Sequence, residues 1–153
     1  MKSQSIQILA IQETHLHGME CFSIDGYSIM LSGSDLDVSI RNFTGVGFIV
    51  APEAQRAITG FRAVNDRIAE LRIRVPGGTL KILSCYAPHS KKPYDVRKNF
   101  YHDLLSNRKI STSHVSTMVL GDFNAKLFHR LPGEEDLLGD FVFTSPFSAN
   151  LAS

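Results

Sequence analysis

The sequence predicts a mixed α/β (α+β) domain built mainly from β-strands. Three observations predict it. Short apolar runs recur between turn residues. One of them, from Arg67 to Val75, alternates with period 2. A single stretch, after Pro93, has convincing helical spacing. Strands, a hairpin, a helix and a further strand in that order fit a sheet-based mixed fold.

Taken in order, Ile6 to Ile11 forms the first strand candidate, with no polar residue except Gln7. Tyr27 to Leu31 and Gly45 to Ala51 are the next two, and the glycines at 45 and 47 suggest a bulge. In the alternating run Leu71, Ile73 and Val75 point one way, and Glu70, Arg72 and Arg74 the other, so one face is expected to be wet. Pro76-Gly77-Gly78 follows, then Leu80 to Leu83, which together read as a β-hairpin. Pro93 suits a first helical turn because the N–H it lacks is unbonded there. Val96, Phe100 and Leu104 then form a stripe at i, i+4 and i+8. Val115 to Leu120 is a last strand candidate, ending at Gly121. From Leu131 onward the chain is acidic, then apolar and Ser-rich, with little pattern.

Composition narrows the function classes. The chain has 153 residues, 43% hydrophobic and 20% charged, which is the size and balance of one globular domain and too apolar for whole-chain disorder. No apolar run approaches the ~20 residues of a membrane helix. Two cysteines, Cys21 and Cys85, make no disulfide framework and read as small buried apolar groups, so an intracellular, reducing setting is expected. The first seven residues lack the apolar centre of a secretory signal. The net charge, 16 − 15 = +1, predicts no global affinity for nucleic acid. From Lys91 to Arg130, however, eight Lys/Arg face three acids, a local bias that attracts phosphate. Gly45-Val46-Gly47 lacks the third glycine of a dinucleotide loop. His15 and His17 have no Cys/His companions for zinc and read as loop, and His114 and His129 read as surface. Arg62, Arg67 and Lys126 are candidates for contact with a phosphate backbone or for plain solvent exposure.

Four polar residues follow apolar strands at their carboxyl ends: Glu13, Tyr86, Asp122 and, two residues on, Asn124. Such positions commonly build sites, because the strand fixes the backbone while the loop leaves room for a ligand. Residues two apart in extended chain share a face, so Asp122 and Asn124 are expected to address one centre. Carboxylates and an amide oxygen suit a hard cation, and Mg²⁺ binds through one or two carboxylates plus a substrate phosphate. A carboxylate can also orient a water, and a tyrosine hydroxyl can bond a developing oxyanion. An acid after a strand is also an ordinary turn or cap residue, so composition alone leaves the matter open.

Three strings occur in order: Gln12-Glu13-Thr14-His15-Leu16, Cys85-Tyr86-Ala87-Pro88 and Leu120-Gly121-Asp122-Phe123-Asn124-Ala125. Together they resemble the endonuclease/exonuclease/phosphatase superfamily, and most of all the apurinic-endonuclease-like domain of non-LTR (LINE-type) retrotransposons. The resemblance runs from about Ile8 to Phe143. It implies a two-sheet α/β sandwich and Mg²⁺-dependent phosphodiester hydrolysis, with Mn²⁺ as a substitute. It implies a DNA endonuclease that leaves a 3′ hydroxyl, acting in the nucleus, with a reverse transcriptase domain as a partner in the parent polyprotein. Glu13 matches the metal-binding glutamate, Tyr86 the active-site tyrosine, Asp122 the aspartate that aligns the attacking water, and Asn124 the asparagine that contacts the scissile phosphate. The family's preceding strand with its asparagine, its later aspartate and its closing Ser-Asp-His-like segment have no match. A single incomplete domain over residues 1–153 is therefore expected, with impaired activity and exposed sheet edges. The alternatives are a catalytically dead relic, a domesticated binding fragment, or a member acting on abasic DNA or a lipid or inositol phosphoester.

Overall fold

A computed structural model describes residues 1, 4–34, 44–108 and 114–125. The elements are β1 Ile8–Gln12, β2 Met19–Ile24, β3 Tyr27–Ser32, β4 Val46–Val50, α1 Pro52–Gln55, β5 Ile58–Asn65, β6 Ile68–Val75, β7 Gly78–Tyr86, α2 Tyr94–Arg108 and β8 Val115–Asp122. They form two four-stranded sheets, ordered β1-β4-β3-β2 and β5-β6-β7-β8. Every pairing is antiparallel except β7 with β8. A parallel pair needs a crossover, and α2 supplies it. The α+β class holds.

The two sheets face each other, with β1 against β7 and β8, and β3 against β5 and β6. Register explains which side chains enter the gap. Ala10 pairs with Phe48, and Phe48 with Met30, so all three share the inner face of the first sheet. Val46, Phe48 and Val50 are fully buried there and meet Ala69, Leu71, Ile73 and Ile82 of the second sheet. Phe48 stands edge-on to Phe61 across the gap, with ring centroids 6.5 Å apart at 87°. The other face of the second sheet carries Ile68, Leu83 and Cys85, and α2 covers it with Phe100 and Leu104.

The Pro76-Gly77 hairpin is as expected: Val75 pairs with Gly78, and Gly77 takes φ +84°, with proline just before it as in a type II turn. Several expectations fail. Gly45 and Gly47 mark no bulge, because β4 pairs with β1 and β3 in unbroken register; the irregularities lie in β5. The face of β6 that was expected to be wet buries Glu70 beneath two arginines. Val96 is 38% exposed, so the stripe of α2 reduces to Phe100 and Leu104. β8 runs through Gly121 to Asp122. Cys85 is buried but Cys21 is exposed on β2. His129, Lys126 and the segment from Leu131 lie outside the described residues.

Candidate active site

The candidate residues converge at one end of the sandwich. β1 ends at Gln12, and Glu13 follows with φ +53°. That left-handed backbone disfavours a side chain with a Cβ. It is held by the next two residues: the Thr14 N–H donates to the Gly45 carbonyl at 3.2 Å, and the His15 N–H to the Thr44 carbonyl at 2.9 Å. β7 ends at Tyr86, whose ring packs on the edge of the inter-sheet core. β8 ends at Asp122, directly beside Tyr86 in the parallel register. Gly121 precedes it at φ +151°, where a methyl group would overlap the Cys85 carbonyl.

Asp122 and Asn124 do not share a face through extended chain. Asn124 turns to φ +47°. The Asp122 Oδ1 accepts the Asn124 backbone N–H at 2.8 Å, a side-chain turn that competes with continued strand. Asn124 Nδ2 donates to the Ala87 carbonyl at 2.7 Å, and the Ala87 N–H to the Asp122 carbonyl at 2.8 Å. These bonds fasten the loop after β8 to the loop after β7. The Asn124 amide also hydrogen-bonds the Tyr86 phenol, and so does the Glu13 carboxylate. Thus Glu13, Tyr86 and Asn124, from three separate strand ends, meet at one hydroxyl. Asp122 is exposed and reaches the group through Asn124.

Electrostatics keep that hydroxyl protonated. Burial raises the Tyr86 phenol above its ordinary value, and the hydrogen bond and charge of Glu13 raise it further. Asn124 and the Arg67 charge pull the other way without prevailing. Arg67 was missed as a site neighbour. Its guanidinium carbon lies 5.4 Å from the Tyr86 ring centroid, and its Nη1 donates to the Tyr86 carbonyl at 3.2 Å. The Tyr86 N–H returns a bond to the Arg67 carbonyl at 2.9 Å. An arginine at the mouth of a strand pair was visible in the sequence; its partner was not. Arg62, in contrast, is tied to Glu70 and Asn107 on the opposite face.

For a divalent cation the donor chemistry fits in kind: the exposed Glu13 carboxylate, with Asp122 close by along the chain of bonds just described, matches the one or two carboxylates that Mg²⁺ takes beside a phosphate. Among the described residues no three His, Cys, Asp or Glu side chains form a cage that would hold a metal by themselves. His17 joins Ser34 in an isolated bridge, and His114 is exposed. No helix among the described residues is long and apolar enough to cross a membrane. No family model matches the chain, and no curated protein matches it.

Proposed function

We propose that this chain carries the phosphodiesterase site of an endonuclease/exonuclease/phosphatase-type sandwich and nicks DNA with a divalent cation, leaving a 3′ hydroxyl. The observation that supports it most is the meeting of Glu13 and Asn124 on a protonated Tyr86 hydroxyl at one end of two facing sheets. Glu13 would hold the ion, which supplies charge stabilisation at the phosphate oxygens. Tyr86 keeps its proton at neutral pH, so it presents a donor to a phosphate oxygen. Asn124 is fixed by Asp122 and Ala87 and orients the group that bonds it. Asp122, exposed at the strand end, is the carboxylate available to align a water.

The choice of DNA rests on the loop that follows Tyr86. Lys91 and Lys92 are exposed there, five and six residues from the phenol, and Lys98 and Arg108 are exposed on α2. Exposed cations beside a site attract a polyanion at low salt. The test is conversion of supercoiled plasmid to open circle with Mg²⁺, by the parent chain, Glu13→Ala and Asp122→Ala. The parent is expected to nick slowly, with both variants at least ~100-fold weaker. Nicks must be extendable by a polymerase, which reports the 3′ hydroxyl. A folded parent that leaves the plasmid, an abasic duplex and a lipid phosphodiester all intact refutes the reading. Cleavage of one of the last two alone refutes its substrate.

A further inference from the structure

Beneath the meeting point of Glu13 and Tyr86 lies a polar bond buried between the sheets. Ser84 is on the inner face of β7, two residues before Tyr86, and its side chain is fully buried. Its hydroxyl donates to the Ile11 carbonyl of β1 at 3.2 Å. It also accepts the Gln12 Nε2–H at 3.1 Å. Both partners therefore belong to the opposite sheet. The neighbours of Ser84 on that face are apolar: Ile82 on its own strand, and Ala69 and Leu120 on the flanking ones.

An apolar pair of the same shape would serve packing as well, since a buried polar bond adds little net stability. What the polar bond adds is register. β1 is paired along one edge only, with β4, among the described residues. A one-residue slip of β1 would turn its whole inner set outward and leave a buried hydroxyl unpaired. Gln12 also adjoins Glu13, whose left-handed backbone is pinned on its far side by Thr14 and His15. The near side has only this bond and the β4 pairing.

We propose that Gln12 and Ser84 are positioning residues, whose bond across the sandwich fixes the Glu13 carboxylate against the Tyr86 hydroxyl. The proposal rests on Glu13 and Tyr86 forming one site and is independent of the reaction assigned to it.

The phenol itself reports the approach of Glu13, because that carboxylate favours the protonated form. The experiment follows tyrosinate absorbance against pH, each form minus its Tyr86→Phe counterpart, so that the other three tyrosines cancel. Circular dichroism confirms folding at each pH. Glu13→Gln is the reference and is expected to ionise Tyr86 at lower pH than the parent. Gln12→Met and Ser84→Ala are expected to move with Glu13→Gln, although neither touches the phenol. Ser84→Thr, which keeps the hydroxyl, is expected to stay with the parent. If Ser84→Ala does not fold, Gln12→Met, at the less buried end of the bond, decides. The proposal is overturned if Gln12→Met titrates like the parent while Glu13→Gln shifts. It is equally overturned if Glu13→Gln leaves the phenol unmoved. Plasmid nicking run on the same samples separates the two claims: absence of nicking in every form counts against the nuclease reading and leaves the titration standing.

Discussion

Glu70 shows how a single residue departs from its pattern. Period 2 places it with Arg72 and Arg74 on a polar face, yet its side chain is only 3% exposed. Burial alone would raise its carboxyl, but hydrogen bonds from Arg62 and Arg72, both at 2.7 Å, together with their charge hold it below its ordinary value. A carboxyl lowered in the folded state stabilises the fold above its unfolded value, near 4.5, and loses that contribution as pH falls through the folded one. Glu70→Gln should cost about 1–3 kcal/mol at neutral pH, less than for a fully buried pair because both guanidiniums reach solvent. The gap between variant and parent should close on acidification. Urea melts from about pH 7 down to pH 3 check it, and a gap that stays constant with pH would contradict the assignment. Cys85 needs no such partner: burial pushes its thiol up to about 12, so it is an inert core group at neutral pH.

Among the elements, β8 shows where local reading stopped too soon. Glycine after Leu120 reads as a strand end, yet Gly121 continues the ladder opposite Cys85 and delivers Asp122 beside Tyr86. It is glycine because β7 comes too close for a Cβ and because its φ is positive. Gly121→Ala should destabilise by about 2–4 kcal/mol through this overlap and strain. It should also release Asp122 from its register, so the expected nicking falls further than stability does. A Gly121→Ala protein that melts with the parent would show that the close approach is absent. β2 was missed although its signal was present: Asp25-Gly26, at φ +49° and +82°, joins Ile24 to Tyr27 in the tightest hairpin pattern. Its residues are all exposed, so no apolar face announced the strand.

For the whole molecule, stability concentrates between the sheets. Phe48 is fully buried at the centre of the first sheet and meets Phe61 of the second. Phe48→Ala should cost about 3–5 kcal/mol, whereas Val96→Ala on the exposed side of α2 should cost less than about 1. Thermal melts of the two variants provide the comparison. An equal effect would mean that the inter-sheet layer is not the principal core. β1 feels the Phe48 change most directly, through the Ala10–Phe48 pair, and β1 carries Glu13 to the site.

The sequence by itself determined the strand-rich class, the Pro76-Gly77 hairpin, the start of α2 and the strand ends where Glu13, Tyr86 and Asp122 stand, because periodicity and turn chemistry are local properties. Only the tertiary structure decided what those residues touch. Glu13 and Tyr86 are 73 positions apart, and nothing local tells the one that the other's hydroxyl awaits it. The turn at Asn124, the arginine over the tyrosine ring and the buried Gln12–Ser84 bond likewise depend on which strands become neighbours. Neighbours are chosen when two apolar faces leave water together, and that choice is made by the whole chain.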